Sequence, residues 1–218
     1  MLSLTEENHL KAIFHLSSVD NKDVSTNAIA DSLKTKAPSV TDMLKKLSDK
    51  NLINYKKYQG SFLTPIGRKT ALDIIRKHRL WEVFLVEKLN FKWDEVHDIA
   101  EQLEHIQSEK LTNQLDKFLD FPTHDPHGDP IPNTAGFIKF TPKLKLSDLN
   151  IGETGKFIGV KDSSSTFLKY LDKRKISLGC NIKVLHQEDF DQSLHIGLDD
   201  TNLTISIKSA SNLYITKI

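Results

Sequence analysis

The sequence predicts an α+β chain: a helical N-terminal half containing one small two-stranded hairpin, a second helical module, and a C-terminal small β-barrel. Three observations predict it. Apolar residues recur at helical spacing through about residue 120, as in Leu10, Ile13, Phe14 or Val40, Leu44, Leu47. After residue 150 the pattern changes to short alternating runs punctuated by glycine. Between these regions, cation-ligand residue types crowd into the stretch from His78 to His105.

Taken in order, Thr5 is expected to cap a first helix whose stripe is Leu10, Ile13, Phe14 and Leu16. Its first turn carries Glu6, Glu7, Asn8 and His9. After a break at Asp20-Asn21-Lys22-Asp23, Ser25 or Thr26 caps a short helix with Ile29, Ala30 and Leu33. Lys34-Thr35-Lys36 makes a turn. Pro38 then sits where a first helical turn tolerates it, and the next helix buries Val40, Met43, Leu44 and Leu47.

Two short helices around a tight turn read as a helix-turn-helix, and the runs on either side of Gly60 supply a wing. Lys36, Pro38, Ser39, Thr41 and Lys45 on or before the second helix, with Lys56 and Lys57 at the wing tip, are the expected DNA contacts. The lysines reach phosphates, while Ser39 and Thr41 face base edges or backbone. Thr64-Pro65 opens a long helix that physically links wing to ligand cluster, and Asn90-Phe91-Lys92-Trp93 ends it.

Asp94 and Glu95 are expected to open the ligand helix, where its dipole favours negative charge. At about 100° per residue His97, Glu101, Glu104 and His105 share one narrow helical face, and Val96, Ile99, Ala100, Leu103 and Ile106 take roughly the opposite one. Glu and His on a polar helix face are commonly just solvated. Four such residues in nine positions, with His78 and Glu82 upstream, instead make a site that a divalent cation would relieve of charge repulsion. Ser108 caps a further helix through Leu111, Leu115, Phe118 and Leu119, whose apolar surface suits a dimer interface. The segment from Phe121 to Pro130 is Pro-rich and dense in His and Asp. Five short strands then follow, at 155–160, 182–185, 194–198, 203–207 and 213–215.

A length of 218 residues, 38% hydrophobic and 27% charged, suits one large domain or several small ones. No secretory signal or membrane-length apolar run is apparent, so a soluble, cytoplasmic protein is expected. Cys180 is the only cysteine, which excludes disulfide frameworks and Cys-based zinc knuckles; a small buried apolar role is expected for it. The net charge of +1 hides a polarity: residues 34–79 carry twelve Lys/Arg against three Asp, and residues 80–129 carry four Lys against twelve Asp/Glu. A module at +9 suits a polyanion, and its neighbour at −8 suits a cation.

The combined order resembles the diphtheria toxin repressor family of metal-dependent transcriptional regulators. The likeness is carried by Arg76-Lys77-His78-Arg79-Leu80-Trp81-Glu82, by Glu95 through His105, and by Pro126-His127-Gly128-Asp129-Pro130-Ile131-Pro132. It implies a winged helix-turn-helix over 1–72, a helical metal-binding and dimerisation domain over 73–140, and an SH3-like domain over 150–218. It also implies a primary site of His78, Glu101, Glu104, His105 and Asn8. A secondary site would use Glu82, His97, His127 and Asp125, with Asp162 from the C-terminal domain.

The manganese-responsive branch usually has Asp where this chain has Asn8, and often Cys where it has Asp125. The iron-responsive branch usually places Cys at the position of Glu101, so an oxygen-rich site points to Mn2+, with Fe2+ as the alternative. The resemblance implies a homodimer on a double-stranded palindromic operator, repressing genes of manganese homeostasis, with no membrane partner. A metallohydrolase using Glu101 or Glu104 as base leaves the winged helix unexplained, and one small cluster is poor capacity for metal storage. No catalytic role is required.

Overall fold

The computed structural model describes residues 2–20, 23–56, 59–139, 142–198 and 201–218. The chain divides into two compact units: Met1–Trp81 with Ala100–Lys117 and Ile131–Ile138, and Glu82–Ile99 with Phe118–Pro130 and Lys139–Ile218.

In the first unit, helix α1 (Leu4–Asp20) is capped by Ser3, not by Thr5. The Ser3 hydroxyl accepts from the Glu6 amide at 3.3 Å, and the Glu6 carboxylate accepts from the Ser3 amide at 2.9 Å. It is the carboxylate three residues on that selects Ser3 for this reciprocal pair. Helix α2 (Thr26–Ser32) is capped by Ser25 at 3.1 Å, as expected. Lys34 then takes a positive φ, which turns the chain into α3 (Ala37–Asp49) with Pro38 in its first turn. Leu10, Ile13, Ile29, Val40, Leu44 and Leu47 are fully buried and close one core, each contributing on the order of 2 kcal/mol.

Strands β1 (Ile53–Lys56) and β2 (Gly60–Leu63) pair antiparallel, Ile53 opposite Leu63, and form the wing. Lys57, expected at its tip, lies outside the described residues. Thr64 caps the 25-residue helix α4 (Pro65–Leu89), accepting from the Gly67 amide at 3.0 Å and donating to the Leu52 carbonyl at 3.1 Å. A Cβ on Gly67 would come within 1.8 Å of that same carbonyl oxygen, so the wing and α4 close up only around glycine. Helix α6 (Glu109–Phe118) is capped by Ser108 and tied to α4 by buried Arg76, which bonds Asp116 at 2.8 Å and Asn113 at 3.2 Å.

The ligand helix departs from expectation. Helix α5 spans only His97–Leu103; Asp94 and Glu95 precede it, and Glu104 and His105 lie in the turn beyond its end. The Glu104 amide still makes the α-helical bond to the Ala100 carbonyl at 2.8 Å, and the chain tightens only after it, where the Ile106 amide bonds the Leu103 carbonyl at 3.1 Å. Glu104 is fully buried, and Ile106, beyond the three-residue turn that takes it off the α-helical face, is 39% exposed.

The second unit contains a six-stranded antiparallel sheet: β3 (Leu144–Lys145), β4 (Thr154–Val160), β5 (Asn181–Gln187), β6 (Leu194–Leu198), β7 (Thr201–Ile205) and β8 (Leu213–Lys217), in the order β3-β8-β4-β5-β6-β7. The expected strands are present. The run expected to reach Ile207 stops at Ile205, because Ser206 caps the short helix α8 (Ile207–Ala210). Helix α7 (Ser165–Lys173) was not expected; its Leu168 and Leu171 join Phe157, Ile182, Val184 and Ile196 in a core. Cys180 is half-buried at the edge of that core, not inside it. The loop before β3 is pinned to β4: the Val160 amide donates to the His127 carbonyl at 3.0 Å, and a Cβ on Gly128 (φ +84°) would lie 2.0 Å from the Ile158 carbonyl oxygen. Among the described residues no helix is long and apolar enough to cross a membrane.

Candidate metal centre

Two clusters of ligand-type side chains form, one in each unit. The first collects residues from α1, α4, α5 and the turn after it. His78 Nδ1 lies 2.6 Å from Glu104 Oε2 and 3.9 Å from Glu101 Oε1, and His105 Nε2 lies 3.8 Å from Glu104 Oε1. From α1, the buried Glu7 carboxylate meets His105 Nδ1 at 2.5 Å. Lys11 Nζ donates to Glu104 Oε1 at 2.7 Å, to Glu104 Oε2 at 2.9 Å and to Glu101 Oε1. Burial pushes the Glu104 carboxyl up, but His78 and Lys11 outweigh it and hold Glu104 below the ordinary carboxylate value.

Asn8 lies between Glu7 and His9 on α1. Its Oδ1 is buried with no hydrogen-bond partner among the described residues, an orphaned acceptor of the kind a cation would satisfy. His9 is held by Nδ1 to the Thr5 carbonyl at 2.7 Å, and burial lowers its pKa. Sequence reasoning found four of the converging residues, His78, Glu101, Glu104 and His105, and missed the direct roles of Glu7 and Lys11. The available signal was their spacing: residues 7 and 11 are one turn apart and share a helical face beside the apolar stripe.

The second cluster brings together Glu82, Asp125 and His127, all buried, with ligand atoms within 4.8 Å of one another. His127 Nδ1 lies 3.6 Å from Glu82 Oε2. Its Nε2 donates to the Trp93 carbonyl at 2.8 Å; since a carbonyl only accepts, Nε2 keeps its proton and Nδ1 is the ring atom turned to the cluster. Burial pushes the His127 imidazole down, but Glu82, Asp125 and the Trp93 carbonyl reverse this and raise it to about 9. One Asp125 oxygen accepts from the amides of His127 and Asp129, which fixes the loop. His97 stands at the rim, 3.7 Å from Glu82 and 54% exposed in its side chain. Asp162 is not in this group; its carboxylate accepts from the Ser164 amide at 2.9 Å in the turn before α7.

Both donor sets fit a divalent cation of oxygen and nitrogen preference. Each is largely buried and mixes carboxylates with imidazoles.

On the winged part, Lys36, Pro38 and Ser39 are exposed at the start of α3, Lys45 is exposed two turns further along it, and Lys56 is exposed on β1. Thr41 is half-buried and its hydroxyl donates to the Ala37 carbonyl at 3.0 Å, so it presents a methyl group and an acceptor.

Residues 1–61 match the family described as the iron dependent repressor N-terminal DNA binding domain, 64–133 the iron dependent repressor metal binding and dimerisation domain, and 144–217 the FeoA domain. The chain is 34% identical over 128 residues to the iron-dependent repressor IdeR of Mycobacterium leprae (strain TN), covering 59% of this chain and 55% of that protein. It thus spans about half the length of that curated relative. A manganese-dependent transcriptional repressor solved in complex with manganese is 31% identical, with a TM-score of 0.87 over 98% of this chain and 100% of the other. The manganese regulator SloR gives 33% identity and a TM-score of 0.75, covering 98% of each chain. With domain matches along its whole length and this agreement in fold, the chain belongs to the iron-dependent, or diphtheria toxin, repressor family of DNA-binding transcriptional repressors, a family that is not enzymatic.

Proposed function

We propose that this protein is a manganese-responsive repressor that binds palindromic operators as a homodimer when its clusters are loaded with Mn2+. One observation carries the reading: α1, whose Leu10 and Ile13 pack in the same core as the helix-turn-helix, also sends Glu7 and Lys11 into the cluster of His78, Glu101, Glu104 and His105. His78, Glu101, Glu104 and His105, with Asn8 or Glu7 from α1, hold the primary ion; Glu82, Asp125 and His127, with His97 at the rim, hold the second. Asp162 is the weakest candidate. A bound divalent ion supplies positive charge that carboxylates from separate helices share. The chain's own residues do the rest: Glu101 and Glu104 fix the end of α5, His78 holds Glu104 from α4, and α1 transmits the arrangement to α3 through their shared core.

Lys36, Lys45, Lys56 and Lys57 are the proposed phosphate contacts, and Pro38, Ser39 and Thr41 lie where base edges would meet α3. Two copies are needed to cover two half-sites. The proposed interface lies within residues 80–120, where Leu111 is 40% and Phe118 64% exposed. Carboxylate at position 101 favours Mn2+; the kinship with iron-dependent repressors supports Fe2+ as the second reading.

The test is selection of bound duplexes from a random DNA pool by chelator-stripped protein, then titration of the selected duplex with Mn2+ or, without oxygen, Fe2+. Palindromic sequences retained only with metal, and retained at lower free Mn2+ than Fe2+, are expected. Equal retention in chelator would overturn metal dependence, and preference for Fe2+ would overturn the metal assignment.

A further inference from the structure

Lys11 occupies the point at which the primary ligands converge. Its Nζ bonds both oxygens of Glu104 and one of Glu101, the carboxylates proposed to hold the metal, and its side chain is only 13% exposed. The position is built into the helix. Residues 7, 8 and 11 fall at about 0°, 100° and 40° around α1, so a carboxylate, an amide and an ammonium are presented together. Glu104 has no exposed surface, and of the two side chains hydrogen-bonded to it among the described residues, Lys11 and His78, Lys11 is the fixed cation. A divalent ion on Glu101 and Glu104 would lie within a few ångströms of Nζ and meet like charge in a poorly solvated place. Metal and Lys11 therefore compete for the same oxygens.

We infer that Lys11 is a resident internal cation that closes the metal-free primary site and sets the metal concentration at which the protein responds. Resting on the reading of this cluster as the primary metal site, the inference adds a mechanism of regulation to it. Loading is an exchange of one cation for another: the incoming ion takes over Glu101 and Glu104, and the Lys11 ammonium leaves for solvent on its four-carbon stem. The metal-free protein is held in one arrangement and not left with repelling carboxylates. Because Lys11 belongs to α1, the exchange replaces one link between α1 and the α5 turn by another that recruits Asn8 or Glu7. A neutral side chain of similar length removes the competitor and leaves every proposed ligand in place; arginine keeps the charge.

The experiment is calorimetric titration of chelator-stripped full-length protein with MnCl2, comparing wild type, Lys11→Met, Lys11→Arg, Glu104→Gln and the double variant Lys11→Met with Glu104→Gln, with thermal melts of each with and without Mn2+. Lys11→Met is expected to bind the primary ion at least about tenfold more tightly, to melt below wild type without metal and at or above it with metal. Lys11→Arg should stay near wild type. A merely structural lysine would lower both melts and leave affinity unchanged or weaker, which would overturn the inference while the site reading stands. Should neither wild type nor Lys11→Met lose an ion on Glu104→Gln substitution, the cluster is not the primary site and both fall together. Binding in Lys11→Met where wild type binds none supports the inference in its strongest form.

Discussion

The two clusters solve one problem with different cations. In the first, the half-buried Glu101 of α5 and the buried Glu104 of its turn are bonded by Lys11, a side chain from the helix that packs against α2 and α3. In the second, Glu82 and Asp125 face the imidazole of His127, itself a proposed ligand, on a loop pinned to β4 by the Val160–His127 bond and by Gly128. On the proposed reading, exchange at the first cluster would move a residue of the DNA-binding module, whereas exchange at the second would require only that an imidazole lose a proton. The first would then couple metal to DNA, and the second would stabilise a loop and the strand it is pinned to.

The largest separation between them is expected from Glu104→Ala. It removes the buried carboxylate that Lys11 and His78 share and leaves them only the half-buried Glu101, costing about 3 kcal/mol of stability in metal-free urea unfolding, and it should abolish metal-stimulated DNA binding while circular dichroism remains native. Retained stimulation would remove the primary site from its coupling role. At the second cluster, His127→Gln should weaken one ion by about 10–100-fold in calorimetry yet leave metal-stimulated DNA binding in place at saturating Mn2+.

The second cluster also carries a pH signature in the metal-free protein. His127 is raised from 6.5 to about 9, so its contribution is fully present below the unfolded value and is lost as pH rises through the folded one. Melting temperature should fall between about pH 6.5 and 9 in wild type, and that part of the slope should be absent in His127→Gln. A parallel slope in both would assign it to other groups.

What was legible in the sequence follows from how each signal is written. The helix-turn-helix could be read because Val40, Leu44 and Leu47 keep the helical period and Ser25 and Thr64 are strong caps. The sheet could be read because Leu194, Ile196 and Leu198 alternate. Helix α7 was hidden because Ser163-Ser164-Ser165-Thr166 looks like a loop, although Ser164 is its cap and accepts from Phe167 at 3.4 Å. The ligand types announced themselves at His78, Glu101, Glu104 and His105. Lys11 did not, because an ammonium is itself a cation and not a ligand type. Nor could helical phase foresee that α5 would stop at Leu103 and turn Glu104 inward.

Smaller effects sharpen the DNA side. Lys56→Ala should weaken binding to all duplexes alike and reduce the salt slope by about one, whereas Ser39→Ala should mainly relax sequence preference; identical profiles would count against the winged-helix assignment. Smallest of all, Asn8→Asp should tighten Mn2+ binding and Asn8→Ala loosen it, since the orphaned Oδ1 is the acceptor offered. No change in either would leave Glu7 as the ligand from α1.

The most direct measurement is a crystal structure of the Mn2+-loaded full-length protein, with the ion located by its anomalous signal. Manganese between Glu101, Glu104, His78 and His105, with Lys11 Nζ withdrawn from both carboxylates, is the expected result. Lys11 still bonded to Glu104, with no manganese at that cluster, would contradict it.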